Sequence, residues 1–101
     1  MKNCILSLIA LLTVTLSLSQ SSTLKGRVID SNGFALPGAT IQAAPSGKAV
    51  VTDFNGFYTI LSISGEQTVK VSYIGFETVE QTINITDETQ TLDFTLQTAV
   101  N

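Results

Sequence analysis

The residues with most chemical potential in this chain are its acidic ones. Asp53-Phe54-Asn55-Gly56 has the Asp-x-Asn-Gly opening of a calcium loop, in which carboxylate and amide oxygens surround a hard cation. The later carboxylate that such a loop needs is missing, so the stretch reads as a turn capped by its own side chains. Glu77 with Glu80, and Asp87 with Glu88, are carboxylate pairs of the type that does acid and base work on a glycosidic bond. Their positions on strand faces or in a turn read instead as solvated surface. Ser and Thr abound, but there is no His, so no Ser-His-Asp triad can be assembled. Gly26, Gly33, Gly38, Gly56 and Gly75 precede no helix and serve backbone geometry, not a phosphate cradle. Asn84-Ile85-Thr86 is a glycosylation sequon, relevant only to a eukaryotic secretory route. These residues assign no catalytic, cofactor-binding or metal-ligating role.

The chain opens with Met1-Lys2-Asn3-Cys4 and an apolar run from Ile5 to Leu18 broken only by Ser and Thr. One positive charge, a short apolar stretch and a polar continuation form the pattern of a secretory signal peptide. The run is short of the ~20 residues that span a bilayer. Ser17 and Ser19 suit the small-residue positions of a signal peptidase site, which predicts cleavage between Ser19 and Gln20, an uncleaved anchor being the alternative. Cys4 precedes the apolar run, so it is not placed as a lipoprotein cysteine and leaves with the peptide. The expected organisation is therefore a signal peptide over 1–19 and one domain over 20–101. The mature part lacks Cys, His and Trp, which excludes a disulfide framework and a thiol nucleophile and removes the commonest metal ligand. It carries Lys25, Arg27, Lys48 and Lys70 against eight acidic residues, a balance that argues against nucleic acid and an anionic membrane surface as partners. Protein or sugar remains.

After Gln20, apolar residues recur with period two, not at helical spacing, and are punctuated by Gly, Pro, Asn and Asp. This predicts an all-β chain of seven strands, at about 24–30, 39–44, 49–52, 57–63, 68–74, 78–85 and 91–96. Leu24, Gly26 and Val28 share one face of the first; Val69, Val71 and Tyr73 face inward on the fifth, and Leu92, Phe94 and Leu96 on the seventh. Seven short strands with Thr-rich outer faces predict two packed antiparallel sheets, a seven-stranded antiparallel β-sandwich. No internal repeat is read along the chain.

Four ordered stretches carry a resemblance. They are Gly26-Arg27-Val28-Ile29-Asp30 with Asn32-Gly33, Leu36-Pro37-Gly38-Ala39-Thr40-Ile41, Thr52-Asp53-Phe54-Asn55-Gly56-Phe57-Tyr58, and Val71-Ser72-Tyr73-Ile74-Gly75-Phe76-Glu77. Together they resemble the carboxypeptidase regulatory-like domain, a transthyretin-like (prealbumin-like) sandwich of exported bacterial proteins. The Ser-Tyr-Ile-Gly-Phe-Glu stretch is similar to the amino-terminal extension of SusC-type TonB-dependent outer-membrane transporters of Bacteroidetes. The resemblance implies a periplasmic or outer-membrane location and a protein partner in the cell envelope. It also implies either a truncated transporter reading frame or a free-standing relative, because the TonB-engaging segment, plug and barrel of those transporters do not follow.

If consecutive strands alternate direction, the connections after the first, third and fifth strands share one pole, and they carry Phe34, Phe54 and Phe76. Three loop aromatics there would form an apolar contact patch; the competing expectation is that they fold back as lids on the core. An unpaired edge strand offers a second route to a partner, through backbone hydrogen bonds. The function expected is a non-catalytic accessory or interaction domain with no cofactor and no membrane insertion of its own. The alternative is a free-standing secreted sandwich that binds glycan or a surface protein.

Overall fold

In the computed structural model the described residues are 21–99, and the expected signal peptide with its Ser19/Gln20 cleavage point lies outside them. Eight strands follow in order: β1 Ser22–Asp30, β2 Thr40–Ala44, β3 Lys48–Val51, β4 Phe57–Ile63, β5 Gly65–Ser72, β6 Val79–Ile85, β7 Thr89–Thr91 and β8 Phe94–Leu96. One sheet places β1 between β4 on one side and both β7 and β8 on the other; the second has the order β3-β2-β5-β6.

The expected alternation is visible in the core. Leu24 and Val28 from β1, Ile41 and Ala43 from β2, Tyr58, Ile60 and Ile63 from β4, and Val69 and Val71 from β5 are buried, with Ile85, Phe94 and Leu96 closing the layer. Tyr73 and Leu92 pack at its margin, half-buried. Each inward residue is flanked by a less buried one on the same strand, so a one-residue slip would turn the core out to water. A break in period falls on β4, where Leu61 and Ser62 are both exposed between Ile60 and Ile63. There the register against β1 shifts, and Ser62 takes φ 56°, a bulge that lets Ile63 return to the core.

Two features of the expected sandwich are corrected. The seventh strand, expected at 91–96, is two strands, and both run parallel to β1, whereas an antiparallel arrangement was expected. For the expected seventh strand as a whole, parallel pairing follows from the alternation: it runs in the same direction as the first, and β7 and β8 keep that common direction because the chain does not reverse between them. The division arises at Leu92-Asp93. The Leu92 N–H donates to the Lys25 carbonyl, and the Asp93 carboxylate, in place of a backbone carbonyl, accepts the Arg27 N–H at 2.8 Å. The Leu92 carbonyl thereby turns inward over β1, where the Tyr58 hydroxyl donates to it. Gly26 makes this approach possible, since a Cβ there would lie 1.8 Å from the Leu92 oxygen and 2.9 Å from the Tyr58 ring.

Gly26→Ala is expected to destabilise the fold by at least about 3 kcal/mol in urea unfolding, because backbone and ring must both move. Gly33→Ala, where φ is +88° but the surrounding space is open, is expected to cost only about 1–2 kcal/mol. Burial, and secondarily the Asp93 charge, raise the pKa of the Tyr58 phenol well above its usual value of 10.0. The unfolded chain therefore loses this proton first, so stability is level below pH about 10 and falls as the pH rises beyond it. Tyr58→Phe should cost about 1 kcal/mol near neutrality and remove that component of the alkaline loss, read by unfolding at a series of pH values.

Candidate functional site

The connections after β1, β3 and β5 meet at one pole, and two of them are built alike. In Asp30-Ser31-Asn32-Gly33-Phe34, one carboxylate oxygen of Asp30 accepts the N–H groups of Asn32 and Phe34, both at 2.9 Å. The Gly33 N–H donates to the Asp30 carbonyl and the Asp30 N–H to the Phe34 carbonyl. Asp53-Phe54-Asn55-Gly56-Phe57 repeats every one of these bonds, with Asp53 capping Asn55 and Phe57 at 2.9 Å. Gly33 and Gly56 both take the positive φ that ends such a turn. The Asp53 oxygen that resembles a calcium-loop ligand therefore holds two backbone amides.

The twin turns are joined through β1 and through Thr52. The Val28 N–H donates to the Gly56 carbonyl while the Val28 carbonyl accepts the Leu36 N–H, so both turns lean on one residue. Thr52 is buried between them. Its hydroxyl donates to the Leu36 carbonyl at 2.5 Å and accepts the Ala39 N–H at 2.8 Å. The Arg27 side chain braces the second turn, with Nε donating to the Asn55 carbonyl at 3.0 Å and the guanidinium lying 5.1 Å from the centre of the Phe57 ring.

On this frame Phe34 is 70% exposed and Phe54 86%. Phe76 is half-buried and packs against the core, with its ring 5.6 Å from that of Tyr73. The turn from Tyr73 to Phe76, closed by the Phe76 N–H on the Tyr73 carbonyl, instead projects Ile74, which is 91% exposed. The structure thus brings Phe34, Phe54 and Ile74 to the same pole and places Phe76 beneath it. Sequence reasoning missed Ile74, although its place before Gly75 in a Tyr-x-Gly-Phe turn puts it at an apex. The last described residues run past this pole, with Phe76 bridging Thr98 and the Ala99 N–H donating to the Gly75 carbonyl.

The opposite pole is fastened differently. Buried Gln67 accepts the Ser46 N–H from the β2–β3 turn and donates to the Ser64 carbonyl before β5. A shallow depression of about 300 Å³ on the outer face of the second sheet is lined by Gln42, Ala44, Lys48, Thr68, Lys70 and Glu80 among others. Its one hydroxyl, on Thr68, is bonded to Thr82. Among the described residues no group of three His, Cys, Asp or Glu is gathered as a metal site would need.

With this geometry in place, the comparisons are specific. The chain belongs to the CarboxypepD_reg-like domain family, which matches it over residues 24–101. It is 28% identical to TonB-dependent receptor P39 of Formosa agariphila over 103 aligned residues, a match that takes in 95% of this chain and 10% of that receptor. The chain thus spans a small part of the relative it resembles. Among solved structures, the Bacillus anthracis TIE protein matches with a TM-score of 0.68 at 19% identity, over 79% of this chain and 17% of that one. A cohesin-X-dockerin complex from Acetivibrio cellulolyticus matches with a TM-score of 0.67 at 21% identity, over 76% and 58%. The 3-chlorocatechol 1,2-dioxygenase of Rhodococcus opacus matches with a TM-score of 0.67 at 12% identity, over 84% and 62%. Likeness at these identities defines a shared transthyretin-like sandwich and nothing of the chemistry attached to it.

Thr52→Val keeps the shape but leaves the buried Leu36 carbonyl and Ala39 N–H without partners, so it should destabilise by about 2–4 kcal/mol in urea. Thr52→Ser, which retains the hydroxyl, should recover most of that loss.

Proposed function

We propose that this chain is a non-catalytic accessory domain of a TonB-dependent receptor system, exported to the cell envelope by a signal peptide over 1–19 and folded over 20–101. The observation that carries this is the receptor similarity, which embraces nearly the whole chain yet only a tenth of the receptor. A domain of that share is an addition to a transporter, not its conducting part. The residues present supply no nucleophile with an adjacent base, which agrees with a role in contacts instead of turnover.

The contact surface proposed is the pole that presents Phe34 and Phe54, with Ile74 beside them and Phe76 supporting from below. Side chains of this size left in water at one end of a small sandwich form the kind of apolar patch that marks protein interfaces. The twin turns hold Phe34 and Phe54 on hydrogen-bonded frames, so little ordering remains to be done on docking. Because residues 97–99 run past this pole, a receptor body that continued from there would meet it first.

An antibody raised against residues 21–99 should detect a protein of receptor size in the outer-membrane fraction of the source cells. A product no larger than this chain, free in the periplasm or medium, would overturn the receptor assignment and leave the free-standing secreted sandwich. In cells that carry the receptor, Phe34→Ser with Phe54→Ser should lower nutrient uptake at least about threefold with receptor abundance unchanged.

A further inference from the structure

Among the described residues the sandwich has unpaired edges, and all but one carry features that discourage strand addition. β3 is four residues long and begins with exposed Lys48. β4 is bulged, with Ser62 in a left-handed conformation. β7 and β8 are three residues each, divided at Leu92-Asp93. Shortness, lysine, bulges and interruption are the usual means of blunting an edge. β6 has none of them: it is seven residues long, contains no Pro or Gly, and pairs with β5 in unbroken register from Val79 to Ile85. Its other side takes no strand among the described residues. Half-buried Val79 and Ile83 mark the rim of the core along this edge.

The charges are distributed around that edge. Asp30, Asp53 and Asp93 are engaged with backbone amides. The remaining acidic residues are all exposed and lie on or beside β6. Glu77 and Glu80 stand at its start, Asp87 and Glu88 follow its end, and Glu66 on β5 is paired with Asn84. Lys70, opposite Glu80, is the single cation in the β5–β6 pair.

We propose that β6 accepts an extended segment of a partner protein as an added strand, and that the segment carries Lys or Arg at both ends of a short alternating apolar stretch. Backbone groups would supply the pairing, the rim at Val79 and Ile83 would cover alternate apolar side chains, and the acidic ends would select charge. A second copy of this chain is a poorer occupant. Antiparallel self-pairing centred on Thr82 would set Glu77 against Asp87 at both ends, and like charges placed opposite one another are unfavourable. The proposal rests on the reading of the chain as a protein-contact domain, but it concerns a different surface from the aromatic pole.

The test uses the protein purified from the full reading frame and two labelled peptides, Lys-Lys-Thr-Val-Thr-Val-Thr-Lys-Lys and its counterpart with Glu at the four terminal positions. Fluorescence anisotropy reads binding, and amide hydrogen exchange reads where it occurs. The basic peptide is expected to bind and to slow exchange at alternate amides within 79–85, while the acidic peptide does neither. Glu77→Lys with Asp87→Lys, both away from the paired positions, should weaken the basic peptide by about tenfold and leave the fold intact by circular dichroism. Equal binding of both peptides, protection outside β6, no binding, or protection of β6 through self-association would each overturn the proposal. Because the readout is made on the purified protein, its failure is separable from failure of the receptor assignment, which the size of the cellular product decides.

Discussion

The whole sandwich depends on β1 having partners along both of its sides, and β1 can do so only because residue 26 has no side chain. The Leu92 carbonyl enters the space a Cβ would fill, and from there it takes the Tyr58 hydroxyl. That contact lets the last strands pair in two pieces, β7 before the kink and β8 after it. The two pieces keep one register with β1 across the kink, where the Asp93 carboxylate takes the place of a backbone acceptor at Arg27 and so keeps the central amide satisfied. Core packing above and below this point presupposes it: Val28, Tyr58 and Phe94 sit around it, with the last two rings 6.4 Å apart.

The aromatic pole follows from the same economy of backbone bonding. A loop that leaves a sheet must find partners for its amides, and here a carboxylate at the first position of each turn supplies them twice over. Once Asp30 and Asp53 have done so, the turns need nothing from the Phe34 and Phe54 rings, which are left outside. Thr52 then ties the connection that leads into β2 to the start of the second turn. The pole is thus hydrogen-bonded in its backbone and apolar at its surface.

Much of this was legible in the sequence because period two reports burial directly. Val69, Val71, Phe94 and Leu96 read correctly as inward, and Leu24 and Val28 as sharing one face. The bulge in β4 was also written there, as the interval from Ile60 to Ile63 that breaks the alternation, but it is apparent only once a register is known. The twin turns had a plain signal, Asp-x-Asn-Gly-Phe at 30–34 and again at 53–57, short enough to pass as two unrelated turns. Parallel pairing of β1 with the terminal strands left no local mark, since which strands become neighbours is decided by packing of whole sheets and not by any residue in either strand. The place of Phe76 beneath the pole was equally hidden, because burial of a loop aromatic depends on what the other loops leave open.

The parallel arrangement of β1 with β7 and β8 has a mechanical side. The first described strand enters at one end of the molecule and the last leaves at the other, lying next to each other along the way. A pull on the two ends therefore slides these strands lengthwise, and the bonds joining them resist in shear, several together, instead of opening one after another from a tip. The parallel pairing of the first and last strands thus sets the direction in which force on the two ends would load the sandwich.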